Sequence, residues 1–281
     1  MCLAREDGSA RDIATKGLNT TRGIDRVMSR MSDKPYTVKI VGNKVPVVVP
    51  KKILVFAPHP DDELISCGGT ILKYSSLGSE IVVVFMTSGL GGYAKQEDKD
   101  TIASVRQEEY KHAVKNLHVD EFVNLKWDEV EIKRDTVTIV TNLIRDQQPD
   151  IIFSPHITDT HRSHRNTAEL VKESVYHAVH GKAYGGHEKN VMPKGFYAYE
   201  SPSCKFSYVD ANVFCIVDIS SFWKEKVETF NKVYASQAEV LERTMAWAEK
   251  TARLRGDEIF SEFGEAFIPQ TEYVPLSILV L

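Results

Sequence analysis

Residues 53–63 read Ile53-Leu54-Val55-Phe56-Ala57-Pro58-His59-Pro60-Asp61-Asp62-Glu63, an apolar run followed at once by one imidazole and three carboxylates. Short apolar runs of this kind are typical of a buried strand. Packing alone does not justify a dense group of acids at the end of such a strand, because burying charged groups is costly. The sequence therefore predicts a strand that leads into a metal-dependent active site.

Five further apolar runs predict strands, and helical patterns lie between the first four strands of the chain. Strands that alternate with helices of this length indicate a mostly parallel sheet covered on both faces. We therefore expect an α/β protein with a Rossmann-like three-layer fold. The predicted strands are 53–57, 81–86, 122–125, 151–154, 195–199 and 213–217, and the predicted helices are 64–77, 102–117, 136–147, 166–178, 221–235 and 238–254.

The predicted topology brings two polar segments together. If the first four strands take the common order 3-2-1-4, strands one and four are neighbours, and ligands of such sheets bind beyond the carboxyl ends where the order reverses. The segment 59–63 follows strand one, and the segment Pro155–His164, which contains three histidines, follows strand four. The two segments, about a hundred residues apart in the sequence, are expected to meet at this edge.

Composition excludes several classes of protein. The 281 residues are enough for one large α/β domain, and the formal net charge of −4 argues against a nucleic-acid surface. No run of about 18 apolar residues exists, so no membrane helix is expected. The four cysteines form no Cys-x-x-Cys pair, which argues against a disulfide framework and a thiolate zinc site and favours a reducing cytoplasm.

The residue types in the two segments are those of a catalytic zinc site. Zinc binds histidine nitrogen and carboxylate oxygen, and a catalytic site uses three protein ligands. His59 and Asp62 are three residues apart and can face one ion, and His164 is the candidate third ligand. Asp61 could remove a proton from the attacking water. The acids could also belong to the first turn of a helix, where negative charge interacts well with the helix dipole. Glu63 fits that role better than the role of a metal ligand. A helix start does not explain His59.

More motifs extend this pattern along the chain. Residues 58–63 are followed by Gly68-Gly69-Thr70, and two residues separate His161 from His164. Together these motifs resemble the signature of the LmbE/PIG-L superfamily of zinc-dependent N-deacetylases, and the resemblance runs from about Lys51 to the C-terminus. Further matching motifs are Met86–Gly89, Arg106–Glu109, Ile216–Ile219 and Phe263–Phe267, the last two being similar to archaeal members that deacetylate chitin-derived sugars.

The resemblance implies a role for each matching residue. His59, Asp62 and His164 correspond to the ligands of Zn²⁺, although another divalent metal is possible. Asp61 corresponds to the general base, and His161 corresponds to the histidine that stabilises the oxyanion and protonates the leaving amine. Two further positions, Arg106 and Asp128, correspond to residues that contact the sugar.

One position departs from the family pattern. The family commonly has Asp or Asn before the second histidine of the His-x-x-His motif, whereas this chain has Ser163. If that residue normally orients His161, the change weakens catalysis, unless Asp159 or a water molecule takes its place. The alternative function is therefore a metal-dependent sugar or nucleotide-sugar binding protein with little turnover.

The expected function is hydrolysis of the N-acetyl group of an N-acetylglucosamine-type amino sugar or small glycoside, in a protein that could form a homo-oligomer. A dinucleotide-dependent oxidoreductase is disfavoured because no Gly-x-Gly-x-x-Gly follows strand one. We expect one deacetylase domain over residues 36–281. Residues 1–35 are polar and mixed in charge and are expected to be a flexible or peripheral segment, in which Met28 and Met31 are alternative start sites.

Overall fold

In a computed structural model, the chain consists of two compact units, residues 1–48 and residues 49–281. In the first unit, β1 (Tyr36–Ile40) and β2 (Asn43–Val47) form an antiparallel hairpin. The domain boundary after residue 35 stays a prediction. The structure describes residues 36–40, 43–47, 49–89, 109, 112, 116–181, 184, 190–207, 215–234 and 238–270. Arg106, most of the predicted helix 102–117 and the first two residues of the predicted strand 213–217 lie outside these ranges.

The second unit contains a seven-stranded sheet in the order β5-β4-β3-β6-β7-β9-β8. The first five strands of this order are parallel, and β9 is antiparallel to both of its neighbours. The mostly parallel sheet is thus confirmed, and so is the 3-2-1-4 order of the first four predicted strands. The strands are β3 (Lys52–Ala57), β4 (Glu80–Thr87), β5 (Glu121–Trp127), β6 (Ile151–Pro155), β7 (Gly195–Tyr199), β8 (Cys215–Asp218) and β9 (Gly264–Pro269).

Five helices are described in this unit. The third helix begins at Arg162, four residues before the predicted start. The prediction missed the first turn because that turn carries polar side chains, and the apolar periodicity begins only in the second turn. This earlier start places His164 on the helix. No described helix has the length and apolar character needed to cross a bilayer. The helices are α1 (Asp62–Ser76), α2 (Arg134–Gln147), α3 (Arg162–His180), α4 (Trp223–Val233) and α5 (Ala238–Glu258).

The central strand β3 supplies apolar side chains to a core on each face of the sheet. Ile53 and Val55 pack in the core that contains residues of α1, α4 and α5. Leu54 and Phe56 point to the other face, where the core contains residues of α2 and α3. Each fully buried side chain of this size stabilises the fold by about 1.5–3 kcal/mol. Helices therefore cover both faces, which confirms the three-layer fold.

Candidate active site

Two loops at the carboxyl edge of the sheet bring three imidazoles together. Because β3 and β6 are adjacent and parallel, the chain after each strand leaves the sheet at the same edge. The ring of His59 lies 5.4 Å from the ring of His164 and 5.1 Å from that of His161, and the rings of His161 and His164 are 4.7 Å apart. The structure thus places the two predicted segments side by side.

The carboxylate of Asp62 lies between two of these rings. Its Oδ2 atom is 3.0 Å from His59 Nδ1 and 3.2 Å from His164 Nε2. The same oxygen accepts a hydrogen bond of 2.9 Å from the backbone N–H of His59, which ties the loop after β3 to the first turn of α1. Asp62 and His164 are both buried, so a low dielectric strengthens the interactions among these groups.

A second carboxylate, that of Asp159, holds the far side of the His164 ring. Asp159 Oδ2 is 3.0 Å from His164 Nδ1, so Nδ1 carries a proton and Nε2 faces Asp62. Asp159 also accepts hydrogen bonds of 2.6 Å from the hydroxyls of Ser201 and Ser203, in the chain after β7. A carboxylate that orients a histidine in this way is a common feature of metal sites.

The position of Asp159 shows whether this residue can replace the acid that the family commonly has where this chain has Ser163. Asp159 contacts the ring of His164 but only the backbone of His161, whose N–H donates to Asp159 Oδ1 at 2.8 Å. Among the described residues, the ring nitrogens of His161 have no hydrogen-bond partner. Asp159 therefore does not replace the missing acid as an orienting group for the His161 ring.

The charges of the cluster shift its pKa values strongly. Burial raises the pKa of the Asp62 carboxyl, but the imidazoles of His164 and His59 outweigh burial and hold that pKa well below its usual range. Burial lowers the pKa of His164, whereas Asp62 and Asp159 raise it to about 10. Burial, and then the charges of His164 and His59, lower the pKa of His161. A metal ion binding here must displace the proton of His164.

The backbone of Asp61 adopts an unusual conformation at the start of α1. Its φ is 124°, in a region that residues with a Cβ rarely occupy, and such a conformation costs about 1–3 kcal/mol. The Asp61 N–H donates to Glu63 Oε2 at 3.0 Å, and the hydroxyl of Tyr234 donates to Glu63 Oε1 at 2.6 Å. Burial raises the pKa of Glu63 to about 7, although the hydrogen bond from Tyr234 opposes that shift.

Helix α1 is broken at Cys67, one turn beyond these residues. Cys67 has φ −140° and ψ 20°, and the hydrogen bond from the Gly69 N–H to the Ile65 carbonyl is replaced. The Gly69 N–H donates to Glu265 of β9 at 3.0 Å, and Lys226 Nζ donates to the Ile65 carbonyl at 2.8 Å. Lys226 and Glu265 form a buried ion pair of 2.7 Å, so the break is bridged by charged side chains.

The glycines of α1 allow close packing at this break. A Cβ on Gly69 would lie 2.7 Å from Ile219 Cδ1, and a Cβ on Gly68 would lie 2.6 Å from Leu64 Cδ1. No side chain fits at such distances without displacement of its neighbour. Gly69 therefore lets Ile219, in the segment after β8, approach the helix that carries Asp62, whereas Gly68 leaves room for Leu64 of the same helix.

Of the two predicted sugar-contacting residues, only Asp128 is among the residues that the structure describes, and it is not part of the imidazole cluster. Arg106 lies outside the described residues. Asp128 is exposed and follows β5, which β4 separates from β3. Asp128 is thus at the same carboxyl edge as the cluster but two strands away from His59.

Several residues of the site were not predicted from the sequence. Ser201 and Ser203 follow a strand adjacent to β6, so the same edge argument that pointed to His164 could have found them. Tyr234, Lys226 and Glu265 carry no such signal, because they reach the site from a helix and an antiparallel strand far along the chain.

The donor groups fit a divalent metal ion. Two ligands of a tetrahedral zinc ion lie about 3.3 Å apart, close to the distances between Asp62 Oδ2 and the two imidazole nitrogens. His59, His161 and His164 also offer nitrogens that all lie within 4.8 Å of one another. A metal ion could therefore bind His59 and His164 together with either Asp62 or His161.

The chain is similar in sequence to known deacetylases. Residues 54–175 match the family described as GlcNAc-PI de-N-acetylase, PIG-L. The chain is 31% identical over 131 residues to diacetylchitobiose deacetylase of Thermococcus kodakarensis, and the aligned part is 44% of this chain and 49% of that protein. The match therefore spans about half of the relative's length.

Solved structures share the fold over most of the chain. N,N'-diacetylchitobiose deacetylase from Pyrococcus horikoshii, complexed with its inhibitor, is similar with a TM-score of 0.68 and 26% identity over 79% of this chain and 84% of that one. GalB, the 4-carboxy-2-hydroxymuconate hydratase of Pseudomonas putida KT2440, has a TM-score of 0.67 and 22% identity over 81% of this chain and 99% of its own. The second likeness concerns the fold alone.

Proposed function

We propose that this chain is a metal-dependent hydrolase that removes the N-acetyl group of an amino sugar, because residues 54–175 match the family described as GlcNAc-PI de-N-acetylase, PIG-L. The substrate class is an N-acetylglucosamine-type sugar or a small glycoside. The diacetylchitobiose deacetylases among its relatives support this choice. The observation that carries the proposal is the position of Asp62 Oδ2, within 3.2 Å of one imidazole nitrogen in the loop after β3 and of another in the first turn of α3.

We assign the metal to His59, Asp62 and His164. The carboxylate of Asp62 offsets the positive charge of the ion in a buried site, and Asp159 binds the Nδ1 side of the His164 ring, so that Nε2 is the nitrogen that would bind the ion once its proton is displaced. A bound Zn²⁺ or other divalent ion would polarise the amide carbonyl and lower the pKa of water. His161, which is more exposed, then stays available for the reaction.

The chain's own residues move the protons of the reaction. Asp61 accepts a proton from the water that attacks the amide carbon. His161 donates a hydrogen bond to the carbonyl oxygen as that oxygen gains negative charge, and it protonates the departing amine. Arg106 and Asp128 are proposed to contact the sugar, which fits the exposed position of Asp128 at the carboxyl edge.

An acetate-release assay tests this function. The purified chain, loaded with zinc, is incubated with free N-acetylglucosamine, N,N'-diacetylchitobiose and N-acetylglucosaminyl glycosides. We expect acetate and a free amine from at least one sugar, loss of activity with a chelator and recovery on adding zinc. Asp61→Ala should keep the metal and lose at least about a hundredfold in kcat, the lower range for a general base. Full activity in that variant would contradict the assignment of the base.

Ser163 supports a second candidate, a metal-dependent sugar or nucleotide-sugar binding protein with little turnover. The unpartnered ring nitrogens of His161, among the described residues, are the observation that favours it. Calorimetry would then show metal-dependent sugar binding while no acetate is released from the whole panel. If the missing acid is the cause of the low turnover, Ser163→Asp should release acetate from a sugar that the wild type binds without hydrolysing, and no gain in kcat would contradict that cause.

The proposal also includes the cellular location and the oligomeric state of the protein. Among the described residues, Cys67, Cys204 and Cys215 form no disulfide, which is consistent with the cytoplasmic location expected from the sequence. We retain the possible homo-oligomer as an expectation, to be measured by light scattering.

A further inference from the structure

The strained backbone of Asp61 needs an external restraint. An Asp residue with φ 124° relaxes to an ordinary conformation unless its surroundings prevent it, because residues with a Cβ are strained in that region. The carbonyl of Asp61 accepts hydrogen bonds from the N–H groups of Leu64 and Ile65, at 3.1 and 2.9 Å. These two bonds fix the carbonyl of Asp61 to α1, and the N–H of Asp61 needs an acceptor of its own.

Glu63 holds that N–H, and Tyr234 holds Glu63. The Glu63 side chain turns back two residues so that Oε2 accepts from the Asp61 N–H, while Oε1 accepts from the Tyr234 hydroxyl. Glu63 and Tyr234 have no exposed surface. A carboxyl group is costly to bury without partners, and the hydroxyl at 2.6 Å is the partner that a distant part of the chain supplies to Glu63.

We infer that the Glu63–Tyr234 pair is a positioning device, which holds the backbone of Asp61 in its strained conformation and so fixes where the Asp61 carboxyl lies. The inference rests on the proposed function, in which Asp61 is the general base. It assigns a catalytic consequence to Tyr234, which lies at the end of α4 and outside residues 54–175. Misplacement of a base by about 1 Å is enough to cost a large factor in rate.

Tyr234→Phe tests this inference because it removes one hydroxyl and keeps the ring. We expect kcat for acetate release to fall about tenfold, the effect of one hydrogen bond to a buried carboxyl. KM and the bound metal, measured by elemental analysis, should stay within a factor of about two, since the ligands are unchanged. Glu63→Gln keeps the shape but replaces one acceptor oxygen by an amide donor, and it should lower kcat at least as much.

Tyr197→Phe is the matched control. Tyr197 is also fully buried, and its hydroxyl has no hydrogen-bond partner among the described residues. This variant should leave kcat and KM unchanged. Equal losses of kcat in Tyr197→Phe and Tyr234→Phe would overturn the inference, and so would a loss of metal from Tyr234→Phe in proportion to its loss of activity.

Hydrogen exchange gives a readout that does not require turnover. The backbone amide of Asp61 should exchange about tenfold faster in Tyr234→Phe than in wild type, since its acceptor Glu63 is no longer held in place, and it should be unchanged in Tyr197→Phe. Unchanged exchange in Tyr234→Phe overturns the inference. If wild-type protein releases no acetate from any sugar, the proposed function fails, and the exchange rates alone decide whether the pair holds Asp61.

Discussion

At the scale of single residues, the geometry of the site depends on two carboxylates with different tasks. Asp62 faces the nitrogens of His59 and His164, whereas Asp159 holds the opposite side of the His164 ring. The ring is therefore fixed at both nitrogens before any ion binds. A preorganised ligand of this kind reduces the reorganisation needed for metal binding.

Alanine substitutions show whether Asp62 or His161 binds the metal together with His59 and His164. Asp62→Ala should abolish stoichiometric metal binding, because it removes the carboxylate between the two rings. His161→Ala should keep one bound ion and lose acetate release by about a hundredfold or more. Metal content after dialysis, measured by elemental analysis, distinguishes the two sets. Loss of the ion in His161→Ala, with retention in Asp62→Ala, would favour a three-histidine site.

At the scale of secondary structure, α1 is a broken helix whose break is held by distant elements. Glu265 of β9 accepts the freed N–H groups of Gly69 and Thr70, and Lys226 of α4 donates to the freed carbonyl of Ile65. The first turn of α1 therefore keeps its own direction relative to the remainder of the helix. The side chains of Asp62 and Glu63 depend on that direction.

Lys226→Met should destabilise the protein by about 3–5 kcal/mol, since it leaves the Glu265 carboxylate buried without its partner. The double variant Lys226→Met/Glu265→Gln should lose less than the sum of the single losses. Urea denaturation measures these free energies of unfolding. The exposed pair Lys224–Glu228 lies on the same helix, and Lys224→Met should stay close to wild type. Equal losses for Lys226→Met and Lys224→Met would contradict this role of the buried pair.

At the scale of the whole sheet, Asp150 joins the starts of three parallel strands. It precedes β6, and its carboxylate accepts from the N–H groups of Lys51 and Lys52 at 2.6 and 3.3 Å. It also forms an ion pair of 2.8 Å with Lys194, just before β7. This contact lies at the opposite end of the strands from the site.

Stability should therefore depend on pH through Asp150. Burial raises its pKa, but the bonds with Lys194 and Lys51 outweigh burial and lower it below the ordinary value of 3.8. A carboxyl whose pKa is lowered on folding stabilises the fold above its unfolded pKa, and this contribution is lost as the pH falls through the folded pKa. Asp150→Asn should cost about 1–2 kcal/mol at pH 7. Urea denaturation from pH 7 to pH 3 should show this difference shrink below about pH 4, and a constant difference would contradict the assignment.

Much of this protein could be predicted from local patterns in its sequence. Apolar runs and helical periodicity predict the parallel strands and most helices, because each βαβ unit is built from consecutive residues. Once β3 and β6 are neighbours, His59 and His164 must leave the sheet at one edge. The pairing of the loops that carry the proposed chemistry is therefore contained in the sequence.

Tertiary structure alone decided how those side chains are held. Tyr234 and Glu63 are 171 residues apart, and Glu265 meets Gly69 across 196 residues. Contacts of this separation leave no periodicity in the sequence, since nothing links the two positions until the sheet is complete. The same holds for Asp159, which could have oriented either histidine: in the folded protein Ser201 and Ser203 help to direct its carboxylate to the His164 ring.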